Sequence, residues 1–571
     1  MNATVPYKRP TIGVLAGWQF YRTATNLSYL APIFRGITHA AQKLGCNLLL
    51  GCGMGPSASP TDPLRPAWPV FSPDQDFVSI GPWNTDGLII AVPLHSQERS
   101  EYIQGLIAAG HPVLFVGSGE TGPTIAVNNA GGILEAMHHL VEHGHRQIAF
   151  IAGTVEDMRG DSGERLRAYQ SGCESYGLEN DPRRVAYGRH VYDGGYIAMQ
   201  QIMVSGVEFS AVVASNDESA LGAMQALKEA GRKIPEDVAI TGFDNRLEGA
   251  VHQPGLSSIH VPLFNMGYRA VDLLLEHIEG KTQLPELVNV DTHLVIRASC
   301  GCNVGKYASR ETEPSPTGQP GEEWASWLAR MIASTIMNQA HNLTEDEGLA
   351  LCQQLVDTFN SSVRRDDNAQ FQDALAAALQ VTAAGDDDTH IWQDAISLLE
   401  RAVSTAGSSL GSDIYDLLGE ARLTISAAMQ RQHRHYVMDE RWTSSRLSLL
   451  TARLLNALDE VQIYDILATH LPDMGIHIAL LGLFEADGDD PVAWTTIHNT
   501  INPDQGVIRF RSREFPPANL FTGEHQFILT LIPLVDQSGQ IGFMVFDAEQ
   551  LDLYGSIVQQ LGGALNTARL Y

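Results

Sequence analysis

From residue 11 to 303, short runs rich in aliphatic and β-branched residues alternate with amphipathic stretches. The apolar runs are TIGVLAG at 11–17, CNLLLG at 46–51, TDGLIIAV at 85–92, PVLFVG at 112–117, QIAFIAG at 147–153, AVVAS at 211–215 and VAITGF at 238–243. Runs that are apolar on both faces and separated by helical periodicity predict parallel strands buried between helices. The stretch GGILEAMHHLVEHG at 131–144 ends on a glycine, after which strand and helix resume. Two α/β lobes with a cleft between them are therefore expected.

The pattern lapses at 304–322, where Pro, Gly, Ser and charged residues collect as in a linker. From 323 to 444 the period is helical: Trp324, Trp327, Leu328, Met331, Ile332 and Ile336 recur at spacings of three and four. The polar stretches at 366–368, 384–388 and 407–409 read as inter-helix turns, since none has the ligand spacing of a calcium loop. A long helix is predicted from an N-cap at Ser412 through Ala457. Leu447, Leu450, Leu454, Ala457 and Val461 form a heptad-like seam along it, suited to pairing with a second copy, so a homodimer is expected. After Gly475 the period changes to two, over 476–484, 492–499, 507–515, 526–535 and 540–547, and an amphipathic helix closes the chain. Residues 445–571 thus read as a small antiparallel α+β module.

The length, 571 residues, suits about three to five compact units, and 44% hydrophobic, 18% charged and 7% aromatic residues describe a core-forming protein. A net charge of −29 repels phosphate backbones and argues against nonspecific nucleic-acid binding by the whole chain. Most of that acidity lies after residue 305, where Lys306 is the only lysine. No signal peptide and no run of about 18 apolar residues is present, so a cytosolic protein without a membrane partner is expected. Six scattered cysteines suit a reducing compartment.

Several strings then fall in a familiar order: RPTIGVL, FRGITHAAQKLG, TDGLIIAVPL, VNNAGGILEAMHHLVEHGHRQIAFIAG, ERLRAYQSG, SNDESALGAMQALKEAG, IPEDVAITGFDN and LVIRASC. Over residues 1–303 they resemble the effector-binding core of the LacI/GalR repressors, a two-lobed periplasmic-binding-protein-like α/β fold. The resemblance implies a small polar effector, sugar- or nucleoside-like. By matching motifs it assigns contacts to Arg165, Asn216 and Asp244, although Ala168 stands where the family's arginine motif has a glycine. A guanidinium fork, an amide and a carboxylate suit a ligand rich in hydroxyl or amide groups. The same three residues would otherwise be a helix ion pair, a helix cap and a turn cap. Trp18, Tyr29 and His190 are the candidate pocket aromatics by position. Ala91 and Gly117 replace polar side chains that sugar-binding relatives carry, and the Pro-rich segment 52–78 replaces a helix of the family, as a candidate lid.

Only about ten residues precede the first strand, too few for the family's DNA-reading helix-turn-helix, so direct operator binding through that module is not expected. Residues 445–571 resemble a GAF domain through LTARLLNALDEVQIYDILATHLPDMGIHIALLGLFE, the LIPLVDQSGQIGFMVFD hairpin and the closing ALNTARLY. The organisation expected is therefore a LacI-type domain, a linker, an all-α connector and a GAF-like module that relays effector binding to a downstream signalling partner. The alternative is the sensory fragment of a larger kinase, diguanylate cyclase or DNA-binding regulator.

No catalytic constellation and no cofactor motif is found. His138, His139, His143 and His145 do not read as a metal site, because neighbouring helix positions point about 100° apart. Cys300–Gly301–Cys302 offers two thiolates with no matching pair elsewhere in the sequence.

Overall fold

The computed structural model describes residues 9–16, 30–51, 67–70, 76–91, 97–117, 121–302, 322–337, 339–340, 343–365, 368–385, 387–405, 412–502, 506–518, 520–521, 525–536 and 539–570. In chain order the strands are β1 (Thr11–Ala16), β2 (Asn47–Gly51), β3 (Ala67–Trp68), β4 (Asp76–Phe77), β5 (Gly87–Ala91), β6 (Val113–Val116), β7 (Thr124–Val127), β8 (Ile148–Ala152), β9 (Val185–Tyr187) and β10 (Ala211–Ala214). They continue with β11 (Ala239–Asp244), β12 (Ser257–His260), β13 (Leu287–Val290), β14 (His293–Val295), β15 (Ala479–Asp487), β16 (Asp490–Asn499), β17 (Val507–Arg511), β18 (Ile528–Asp536) and β19 (Gly539–Phe546). The helices used below are α1 (Leu30–Leu44), α2 (Gln97–Ala108), α3 (Asn129–Glu142), α4 (Asp161–Ser175), α5 (Tyr192–Val204), α6 (Asp217–Glu229), α7 (Leu247–Val251) and α8 (Leu263–Ile278). Beyond them lie α9 (Glu322–Met337), α10 (Glu345–Arg365), α11 (Ala369–Ala384), α12 (Ile391–Thr405), α13 (Ser412–Leu454), α14 (Glu460–His470) and α15 (Leu551–Leu570).

The chain divides into two compact units. One comprises Met1–Ala126, Met266–Val288 and Val437–Tyr571, the other Val127–Asn265 and Asn289–Tyr436. All seven apolar runs contain strands. The strands that pattern alone did not reveal, β3, β4, β7, β9 and β12 to β14, are two to four residues long.

In the first unit, β1 pairs in parallel with β2 and β5, and β5 with β6. These strands are buried on both faces, as continuous apolar runs require. The C-terminal strands are antiparallel in the order β18-β19-β15-β16-β17. They do not form a free-standing sheet: β18 pairs in parallel with β2, from Ile528 opposite Leu48 to Leu531 opposite Gly51, giving one sheet of eleven strands. The period-two expectation for 526–535 is corrected accordingly, because β18 is interior to the sheet and six consecutive residues of it, Leu529 to Leu534, are buried. Gln526 Nε2 donates to the carbonyls of Ala41 and Cys46, each at 2.6 Å. Leu15, Leu49 and Trp68 share one apolar core with Phe515, Leu529 and Phe543. Within the Pro-rich segment, β3 and β4 place Trp68 and Phe77 in the interior, and the Gln540 amide exchanges two hydrogen bonds with the Phe77 backbone.

In the second unit the sheet order is β14-β12-β11-β10-β8-β9, parallel except for the antiparallel edge strand β14. Helix α3 leads into it. Asn128 caps its start by accepting from the Gly131 amide, and Gly144, at φ +90°, ends it, letting the His145 amide reach back to the Leu140 carbonyl. Helices α9 to α12 and the first turns of α13 enclose a separate apolar core around Leu328, Ile332, Phe359, Phe371, Trp392 and Leu418. Trp392 is fully buried, and its indole N–H is satisfied by Thr382 Oγ1 at 2.8 Å.

The heptad-like seam is corrected by the structure. α13 ends at Leu454 rather than Ala457, and Asp459 starts α14 by accepting from the Gln462 amide. Ala457 and Val461 therefore do not continue the helix of Leu447 and Leu450. Leu450, Leu454 and Ala457 are buried within the chain's own fold. Among the described residues, no helix is long and apolar enough to cross a membrane.

Candidate functional site

Four of the predicted site residues lie in the second unit, at or beside the carboxyl ends of β9, β10 and β11, where open α/β sheets gather loop polar groups. Asp244 is the last residue of β11 and takes φ +97°, with Asn245 following at +52°. Arg189 and His190, just past β9, both sit at φ +57°. These left-handed non-glycine residues, on the loops after β9 and β11, mark places where the surrounding structure holds strained backbone.

Arg165 projects from α4 and is buried. Its Nε donates to Asn129 Oδ1 at 2.7 Å, its Nη1 to the Ser215 carbonyl at 2.5 Å, and its guanidinium stacks 3.7 Å above the Phe243 ring. Nη1 also lies 3.8 Å from Asp244 Oδ1, a buried ion pair beyond hydrogen-bond length. Asn129, the first residue of α3, completes the brace: its amide nitrogen donates to Asp161 Oδ1 and Glu164 Oε2, both at 2.8 Å.

Asp244 Oδ1 is buried and accepts no hydrogen bond from the protein. Burial pushes the carboxyl up to about 6, against the opposing pull of Arg165 and Arg246. Nearby, Asp217 begins α6 and is also buried, accepting from Ser258 Oγ and the Arg246 amide, each at 2.6 Å. Burial, then repulsion from Asp244, raises it to about 7.

Asn216 is the N-cap of α6, accepting from the Ser219 amide at 3.0 Å, while its Nδ2 donates to the His190 carbonyl at 3.0 Å. It thereby ties the end of β10 to the loop after β9. The half-buried His190 places Nε2 2.7 Å from Ser162 Oγ. Burial, then the charge of Arg165, lowers its imidazole to about 4 and keeps the ring neutral at ordinary pH. The Ser215 and Ser219 hydroxyls are buried without hydrogen-bond partners. Trp18 and Tyr29, the other two candidates, lie outside the described residues.

Sequence reasoning passed over Asn129, Asp217 and Arg297. Arg297 Nη2 donates to Asn245 Oδ1 at 2.7 Å and Nη1 to the Leu256 carbonyl at 2.7 Å, holding the turn beside Asp244. The same guanidinium feels the charges of Asp388 and Asp394 in the helical region. No single-residue signal marks these three; the acidic residue directly after Asn216 is the nearest thing to one. A second grouping also escaped: His139, Cys300 and Cys302, all buried, place their donor atoms within 4.8 Å of one another. The sequence displays the histidines and cysteines as two unrelated pairs more than 150 residues apart.

Residues 137–300 match the family model of the periplasmic binding protein-like domain. The chain is 33% identical over 221 residues to the HTH-type transcriptional regulator CelR of Thermobifida fusca, covering 38% of this chain and 64% of that protein. It is 28% identical over 300 residues to the HTH-type transcriptional repressor PurR of Escherichia coli O1:K1 / APEC, covering 51% and 79% respectively. A solved transcriptional regulator CelR-cellobiose complex aligns at 27% identity over 52% of this chain and 86% of that one, with a TM-score of 0.41. The chain thus spans less than two thirds of the length of the T. fusca regulator. Residues 137–300 are a periplasmic-binding-protein-like domain.

Proposed function

We propose that the chain is a ligand-sensing regulatory protein of transcription or signal transduction whose periplasmic-binding-protein-like domain takes a small polar effector, sugar- or nucleoside-like. The observation that carries this reading is the Asp244 carboxyl. It is buried at a left-handed strand end, with Oδ1 accepting nothing from the protein. A buried acceptor in that condition is costly unless a ligand hydroxyl or N–H fills it. Ser215 and Ser219 add unpartnered hydroxyls, and Arg165, His190 and Asn216 frame the same strand ends. The names of the two curated relatives above, both HTH-type regulators, point the same way.

Relay would begin at the 244–245 turn. A ligand engaging Asp244 loads the Asn245–Arg297 bond, and Arg297 sits in the field of Asp388 and Asp394. Helix α13 then carries the chain from residues of the second unit into residues of the first, whose C-terminal module we read as GAF-like. Homodimerisation, a cytosolic location and a downstream signalling partner belong to this reading.

The test is thermal melting of the whole chain against a panel of mono- and disaccharides, nucleosides and nucleobases. At least one compound is expected to raise Tm. Asp244→Ala, and the triple variant Arg165→Ala, Asn216→Ala, Asp244→Ala, should abolish that shift. A panel without effect, or an equal shift in the folded Asp244→Ala protein, overturns the reading.

A further inference from the structure

We infer that His139, His143, Cys300 and Cys302 form a tetrahedral site for a zinc ion, a site independent of the effector reading. His139 and His143 are four residues apart, one on the last turn of α3 and the other its C-cap, and so share one face of the helix, with ring centroids 4.6 Å apart. The cysteines approach from the far end of the domain sequence. A short 3-10 turn, Ala298–Cys300, ends at Gly301, whose φ of +90° turns the chain so that Cys302 comes back beside Cys300. A side chain at that φ would be strained, so the glycine is part of the device.

Cys302 Sγ lies 3.4 Å from His139 Nε2 and 3.3 Å from His143 Nε2. Zinc–sulfur bonds of about 2.3 Å and zinc–nitrogen bonds of about 2.0–2.1 Å at tetrahedral angles put ligand atoms about 3.3–3.8 Å apart. The two measured edges already have that length. The donor atoms of Cys300, His139 and Cys302 lie within 4.8 Å of one another, and His143 joins them through its approach to Cys302 Sγ. Cys300 and Cys302 are buried, His139 is buried, and His143 is half-buried, so the site is closed, as structural zinc sites are. His139, Cys300 and Cys302 are the one cluster of three or more such ligands among the described residues. His138, although adjacent, is exposed and faces Glu142 instead.

Two thiolates and two neutral imidazoles are a borderline-soft donor set that selects zinc over calcium or magnesium. Binding would release the two thiol protons to solvent and leave zinc in its divalent state throughout. The ion would pin the turn after β14 to α3. Asn129 at the other end of α3 braces Arg165, and Arg297, just before the cysteines, holds Asn245.

The experiment uses the full chain, purified under reducing conditions, stripped with a chelator and titrated with Co(II). One equivalent per chain is expected, with thiolate-to-metal charge transfer and the intense visible bands of tetrahedral cobalt, both lost when zinc is added in equal amount. Cys302→Ser and His143→Ala should lose the tetrahedral spectrum, while His138→Ala keeps it. If a ligand variant does not fold, the wild-type titration still decides. Failure of the reduced wild type to bind, a weak octahedral spectrum, or an unchanged spectrum in folded Cys302→Ser overturns the proposal.

Discussion

Arg165 and Asp244 are a buried ion pair whose closest atoms stand 3.8 Å apart, the guanidinium held by Asn129 and the Ser215 carbonyl while the carboxylate oxygen facing it accepts no hydrogen bond. The arginine is fully braced and the carboxylate is left with capacity. Removing the arginine strands a buried carboxylate and Asn129 Oδ1 together. Arg165→Met is therefore expected to destabilise the second unit by about 3–5 kcal/mol, whereas Arg165→Met with Asp244→Leu should recover much of the loss. Urea unfolding of the two variants against wild type measures this, and equal destabilisation by single and double variants would contradict it.

Effector affinity should depend on pH through Asp244. Its carboxyl is raised to about 6, and the form that accepts most strongly from a ligand hydroxyl is the ionised one. Affinity is expected to be level above about pH 7 and to fall toward tenfold per unit below pH 6. Isothermal titration between pH 5 and 8 reads this directly, and Asp244→Asn should give a flat, weaker profile.

Stability should run the other way. Asp217, at about 7 in the folded protein, holds a proton that the unfolded chain, near 3.8, has released. The folded state thus binds more protons between those values, so stability is highest at the acidic side of the window and declines as pH rises from about 4 to 7. Asp217→Asn should remove part of that slope. Urea midpoints at pH 5, 6 and 7.5 test it, and an identical slope in the variant would show that Asp217 does not contribute.

A chain ending at residue 436 should not leave a well-behaved N-terminal unit. Loss of β18 exposes the edge of β2, whose residues 48–51 are all buried, and opens a core that Leu15 and Leu49 share with Leu529 and Phe543. Unprotected apolar edges aggregate. The expected outcome is insolubility or loss of amide protection in β1 and β2, measured by hydrogen exchange, while unchanged protection would mean the strands pair only incidentally.

In the helical region, Thr382→Val keeps shape but strands the Trp392 indole N–H in a fully buried position. A loss of about 1–3 kcal/mol is expected, with altered tryptophan fluorescence.

The sequence alone determined much of this protein. Seven apolar runs disclosed β1, β2, β5, β6, β8, β10 and β11, helical spacing disclosed α9 to α13, and motifs and spacing singled out Arg165, Asn216, Asp244 and His190, which the fold sets at or beside the carboxyl ends of β9, β10 and β11. Those features are local, since burial on both faces leaves a continuous apolar run and a helix leaves a period. What only the tertiary structure decided is non-local. The pairing of β2 with β18 joins residues some 480 positions apart, and nothing in either strand names its partner. The seam at Leu450 and Leu454 looked like a surface for a second copy because a period records that a face is buried, not what buries it. Asn129 and Arg297 are ordinary polar residues until folding sets them against Arg165 and Asn245. The two histidines and two cysteines are each an incomplete ligand pair in the sequence, and only the packing of α3 against the 298–302 turn brings His139, Cys300 and Cys302 within 4.8 Å of one another with His143 beside Cys302.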